Sequence, residues 1–310
     1  MLKILLLLTF GLISNHLMAA DYSVEELELW QDREVPFNKP NIELAETLDE
    51  EGKRFTEISK PTIYLYRNSR IETPGPALLY VPGGGYARVA VGKRRSAEWA
   101  ELFFDMGFAA VAVLKYRLPD GRIVDNPHQV PLIDAQQALA MLHRNATSWH
   151  IDRNKIGVKG VSAGGHLVAS LNNFTSDIVA PDVQAHELKQ AFSILRVPVI
   201  TFKAPLRHSG SYQRLLGGLS EPQRLIDYFS MENQVSATTP PTFLVYATDD
   251  QSVSYQNSEI YAAALSRQRI PYKAVALQRG GHGFGLDRSL VDKDWIPEMT
   301  DWVFAVLADQ

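Results

Sequence analysis

Apolar positions along this chain fall into two patterns that alternate. Short apolar or alternating runs occur at 62–66, 77–81, 108–114, 155–159, 191–197, 242–247 and 273–277. Runs of that length, rich in aliphatic residues and tyrosine, read as strands. The run from Phe108 to Leu114 is apolar throughout, as a strand covered on both faces requires. Between the runs lie stretches with helical spacing. Trp99, Leu102, Phe103 and Met106 recur at three and four residues within 95–106, and Leu132, Ala135, Leu139 and Leu142 share one side of 130–149. Further helices are expected at 255–267 and 296–307. Strands alternating with helices predict an α/β fold, with a mostly parallel central sheet covered by helices on both faces. No internal repeat or low-complexity tract breaks the pattern.

The ends depart from it. Met1-Leu2-Lys3 is a short basic start, an apolar stretch follows to about Ile13, and Met18-Ala19-Ala20 offers small residues ahead of Asp21. This reads as a secretory signal peptide over 1–20, the apolar run being too short to span a membrane. Residues 21–60 are polar and acidic, with Pro36 and Pro40, and read as an N-terminal arm laid across the core. Residues 61–310 read as one catalytic domain, and nothing marks a linker within them.

Composition narrows the function. The net charge is −4, with no basic stripe, so nucleic acid is not an expected partner. There is no cysteine, which excludes disulfides, thiolate metal sites, a cysteine nucleophile and lipid attachment through cysteine. An exported protein without disulfides fits a bacterial periplasm or the medium. No membrane insertion is expected to persist once the leader is cut. The sequence does not specify an oligomeric state.

The chemistry starts at Gly160-Val161-Ser162-Ala163-Gly164. The pentapeptide alone is a weak signal, but here it joins the strand-like 155–159 to a helix start rich in small residues. A serine at the apex of a strand–turn–helix is a nucleophile elbow, and the turn demands neighbours with almost no side chain. A serine hydroxyl needs a base, and the base needs an orienting acid. In one recurrent order the acid and then the histidine follow the serine. Strand 242–247 runs into Asp249-Asp250, and strand 273–277 leads into Gly280-Gly281-His282-Gly283. His282 is therefore the expected base. Asp250 is the preferred acid, because Asp249 can instead cap or brace the loop. Pro82-Gly83-Gly84-Gly85-Tyr86 follows strand 77–81, and amides of such a loop can hold the oxyanion that acyl transfer creates. The expected donors are Gly84, Gly85 and Ala163, the residue after the serine. A phosphate loop would need a following Lys-Ser or a GxGxxG spacing, and neither is present.

Other histidines receive plainer readings. His166 lies four residues past Ser162 and reads as a buried packing residue rather than a second base. His128, His143, His150 and His186 read as surface or loop residues. No His/Asp/Glu cluster has metal-ligand spacing, so neither a metal nor another cofactor is expected. Arg207, His208 and Tyr212 lie in the 198–240 insertion, where they could cap the pocket or form a plain surface loop.

PGGGY at 82–86, GVSAGGHL at 160–167, TPPTFLVYATDD at 239–250 and RGGHGFG at 279–285 together resemble the α/β-hydrolase-fold esterases. The nearest group is the bacterial exported xylan esterases and related acetyl esterases. The resemblance covers roughly residues 60 to 308 and is more specific for fold and triad than for substrate. It implies Ser162 as nucleophile, His282 as base and Asp250 as acid. Pro82 stands where many relatives of the wider lipase–esterase superfamily have the histidine of HGGG; the sugar-esterase branch often carries proline there. The expected substrate is an ester, either a small molecule or a carbohydrate, and acetylated plant polysaccharide such as xylan is favoured. The alternatives are a small-ester or lipid carboxylesterase, a peptidase of the prolyl-oligopeptidase type, and a non-catalytic binding protein on the same fold.

Overall fold

Each of the seven apolar runs forms a strand of one eight-stranded sheet in the computed structural model, which describes residues 21–31, 33–40, 46–52, 54–217 and 222–309. The leader expected at 1–20 lies outside the described residues. The strands are β1 (Tyr22–Glu28), a small hairpin β2 (Thr47–Leu48) and β3 (Phe55–Thr56), β4 (Thr62–Asn68), β5 (Gly75–Val81), β6 (Ala110–Lys115), β7 (Ile151–Val161), β8 (Phe192–Arg196), β9 (Thr242–Ala247) and β10 (Tyr272–Leu277). The helices are α1 (Lys93–Asp105), α2 (Val130–Arg144), α3 (Ala163–Asn173), α4 (Ser209–Leu216), α5 (Pro222–Tyr228), α6 (Gln256–Arg267) and α7 (Ile296–Ala308). The sheet order is β1-β4-β6-β5-β7-β8-β9-β10. Pairings β1–β4 and β4–β6 are antiparallel, and those from β6 to β10 are parallel.

Strand β8 shows how the helices divide between the faces. Successive strand residues point to opposite sides. Phe192 meets Trp302 of α7 edge-on at 6.5 Å, whereas the Ser193 hydroxyl accepts a bond from Asn172 of α3 at 2.9 Å. Helices α3 and α7 therefore cover opposite faces. Trp99 of α1 packs on Trp295, at the start of α7, with ring centres 6.2 Å apart. Asn173 of α3 bonds Tyr261 of α6 at 3.1 Å.

The 21–60 segment does more than lie across the core. It supplies edge strand β1, whose largely exposed, glutamate-rich pattern carries no apolar alternation to announce it. Leu29 and Trp30 are nevertheless buried. Arg117, itself fully buried, pairs with Asp134 of α2 at 2.7 Å and also donates to the Pro36 carbonyl and to Asn38. A buried guanidinium needs all its donors met, and here the N-terminal segment meets part of that need.

Parallel strands β5, β7, β9 and β10 all run in one direction, so the loops after them emerge along one edge of the sheet. That is where α/β folds gather their ligand-binding groups.

Candidate active site

Ser162 sits between β7 and α3 with φ 56° and ψ −124°, a backbone conformation that side-chain-bearing residues rarely adopt. The close crossing of strand, helix and neighbouring loop enforces it. A methyl on Gly164 would lie 2.4 Å from the carbonyl oxygens of Val81 and Pro82, and one on Gly160 would lie 2.4 Å from the Gly164 carbonyl. The Ser162 amide donates to Arg196 at 3.1 Å, and its carbonyl accepts from His166 and Val199. The turn is thus held from three directions.

The Ser162 Oγ lies 2.9 Å from His282 Nε2, and His282 Nδ1 lies 2.7 Å from Asp250 Oδ2. The carboxylate accepts, so Nδ1–H donates to it and Nε2 is left to accept the serine proton. The Asp250 side chain is 1% exposed and that of His282 27%. Burial alone would raise the Asp250 pKa. His282 and the amides of Val253 and Ser252 outweigh that and hold it below the usual aspartate value, so Asp250 stays ionised. Asp249 faces elsewhere: it accepts from the Gly280 and Gly281 amides at 3.2 and 2.8 Å and braces the loop that carries His282. Arg196 steadies the same loop, with a guanidinium N–H 3.4 Å from the His282 carbonyl and its charge 5.0 Å from the Phe284 ring centre.

The glycine loop passes directly over the serine. A methyl on Gly83 would come within 3.1 Å of Ser162 Cβ, and Gly84 takes φ 144°, open in practice only to glycine. Among the described residues the amides of Gly84, Gly85 and Ala163 make no backbone hydrogen bond, and Ala163 opens α3, whose N-terminus favours negative charge. These amides are therefore free to bind an anionic oxygen beside Ser162.

His166 is fully buried as expected, and it also has a task. It stacks on Phe202 at 4.5 Å and donates from Nε2 to the Phe229 carbonyl at 2.8 Å, which leaves Nδ1 to accept from the Tyr86 hydroxyl at 2.8 Å. Tyr116 donates to the Pro82 carbonyl at 3.2 Å. The glycine loop is thus pinned at both ends, without the histidine that HGGG would supply.

Burial pushes the His166 pKa down to about 4. In the unfolded chain it titrates near 6.5. Below that pH the unfolded state takes up a proton that the folded state refuses, so folding free energy falls as pH drops from 6.5 toward 4. The expected loss between about pH 7 and about pH 4.5 is roughly 2 to 3 kcal/mol from this group. Urea unfolding checks it: the drop should be smaller in His166→Gln, which starts out less stable at neutral pH.

His208 of the insertion also reaches the site. It caps α4 by accepting the Ser211 amide at Nδ1, 3.1 Å away. Its ring lies 3.8 Å from where a Gly85 Cβ would be, and it is close enough to His282 to feel a charge placed there. Burial first, and then that neighbour, lower its pKa, so it is neutral with its proton on Nε2. Of the other histidines, His143 is buried on α2, not on the surface, because Nε2 donates to the Lys189 carbonyl at 2.9 Å. Among the described residues no His/Asp/Glu group could hold a metal ion, and no helix is long and apolar enough to cross a membrane.

Residues 63–265 match the family model BD-FAE. The chain belongs to the BD-FAE family. This BD-FAE chain is 31% identical over 269 residues to endo-1,4-beta-xylanase B of Butyrivibrio fibrisolvens, covering 85% of the chain and 40% of that protein. It is 31% identical over 215 residues to an acetylxylan esterase of Xylanibacter ruminicola, covering 68% of the chain and 41% of that protein. It thus spans well under half the length of these relatives. Among solved structures, an acetyl ester-xyloside bifunctional hydrolase from Caldicellulosiruptor lactoaceticus matches with a TM-score of 0.75 at 28% identity, covering 91% of this chain and 96% of that one. This BD-FAE member has the α/β-hydrolase fold.

Proposed function

We propose that the protein removes acetyl groups from acetylated plant polysaccharide such as xylan, through an acyl-enzyme on Ser162. The observation that carries this reading is the hydrogen-bonded series Ser162–His282–Asp250 lying beside unengaged amides of the glycine loop. The similarity to an acetylxylan esterase supports the substrate.

His282 takes the serine proton as Oγ attacks the ester carbonyl, and Asp250 holds the imidazole tautomer and offsets the charge of the imidazolium. The carbonyl oxygen, now negative, rests on the amides of Gly84, Gly85 and Ala163. His282 then passes its proton to the leaving sugar hydroxyl. Water, deprotonated by His282, attacks the acetyl-serine and releases acetate. The strain at Ser162 keeps Oγ at the apex of the turn, where His282 reaches it. With the leader-like 1–20, this chemistry fits an exported enzyme of the bacterial periplasm or medium.

The test is acetate release from acetylated xylan, with 4-nitrophenyl acetate run in parallel. Release from both substrates is expected. Turnover of 4-nitrophenyl acetate without release from xylan would keep the ester hydrolase and discard the polysaccharide.

A further inference from the structure

A polar groove of about 540 Å³ adjoins the glycine loop. It is lined by Tyr86 and Ala87, the continuation of the glycine loop that passes over Ser162. One wall is the 118–122 turn with Glu57. There the Arg122 Nε donates to both oxygens of Asp120 at 3.0 Å, and its Nη2 donates to Glu57 at 3.2 Å. Those bonds from Arg122 come first in holding the Asp120 carboxyl below its usual range, and Arg214 across the groove adds to the effect. Arg214 projects from α4 and is exposed. Among the described residues its guanidinium makes no hydrogen bond.

Helix α4 joins this groove to the reacting groups. His208 caps it against Gly85 and near His282, and Arg214 follows six positions later, about 9 Å along the helix axis. Tyr86 and Ala87, which line the groove, follow directly on Gly85 in the chain, so the groove opens beside the loop that lies over Ser162.

We propose that this groove is the subsite for the saccharide that bears the acetyl ester, with Arg214 and the Asp120–Arg122 pair reading its hydroxyls. The assignment rests on the polysaccharide reading above. The chemistry of the walls selects the occupant. A fatty acyl chain laid here would strip water from two carboxylates and two guanidinium groups and return no hydrogen bonds. Sugar hydroxyls both donate and accept, so they satisfy Asp120 and Glu57 as acceptors and the two arginine forks as donors. An acetyl group needs no such space, which places the groove on the alcohol side of the ester.

Both arginines are exposed, so Arg214→Ala and Arg122→Ala should fold, and unchanged melting temperatures verify it. The experiment measures kcat and KM on acetylated xylo-oligosaccharide and on 4-nitrophenyl acetate. In each variant the ratio of kcat/KM on the oligosaccharide to that on the small ester should fall about tenfold or more, through KM rather than kcat. Unacetylated xylo-oligosaccharide should compete with 4-nitrophenyl acetate in the wild type and more weakly in the variants. A wild type that deacetylates the oligosaccharide, with the ratio unmoved in both variants, overturns the subsite alone. A wild type that turns over only the small ester overturns the polysaccharide reading and the subsite with it.

Discussion

Ser162→Ala is expected to lower kcat on any ester by at least about 10⁴-fold, with the fold intact. Losing the hydroxyl removes the atom that His282 Nε2 contacts at 2.9 Å. The rest of the turn survives, because the bonds to Arg196, His166 and Val199 all use the Ser162 backbone. The melting temperature should therefore hold while turnover vanishes. Residual hydrolysis would reflect water attacking an ester polarised by the loop amides. A variant that kept a tenth of wild-type kcat would place the nucleophile elsewhere.

Asp250→Asn is expected to cost about 10³- to 10⁴-fold in kcat, against less than about tenfold for Asp249→Asn. The two residues are adjacent, yet their bonds differ in kind. Asp250 fixes which imidazole nitrogen carries the proton. An amide there can present its own N–H to Nδ1, so the ring takes the other tautomer and Nε2 can no longer accept from Ser162. Asp249 only accepts from two backbone amides, and an asparagine oxygen keeps one of those bonds. Steady-state kinetics on 4-nitrophenyl acetate separates the cases; the reverse order of effects would make Asp249 the acid.

The strand and helix order was legible in apolar spacing because the central strands are buried on both faces and are written mostly with apolar residues. Edge strand β1 was not, since its alternation is lost among the exposed glutamates of 22–28. Lys159 misleads in another way. A lysine in an alternating run reads as solvent-facing, yet its amine is fully buried between Tyr80 and Trp99, 3.9 and 3.6 Å from their ring centres. That position depends on a ring from β5 and another from α1, which no local pattern records.

At the site, Ser162, Asp250 and His282 stood out because each sits just past a strand, and the structure brings them within hydrogen-bonding distance. The supports were harder to read. His166 is one helical turn from Ser162, which placed it inside but could not show that Tyr86, eighty residues earlier, would be its partner. His208 stood only as one of several insertion residues, because its approach to Gly85 depends on how α4 folds back over the sheet.

The most direct test of the account is to trap the acyl-enzyme. Acid quench during turnover of an acetyl ester, then peptide mass spectrometry, should find a single acetyl group on Ser162, and none in Ser162→Ala. Acetyl on another residue, or a Ser162→Ala variant that keeps a tenth of wild-type kcat or more, would contradict it.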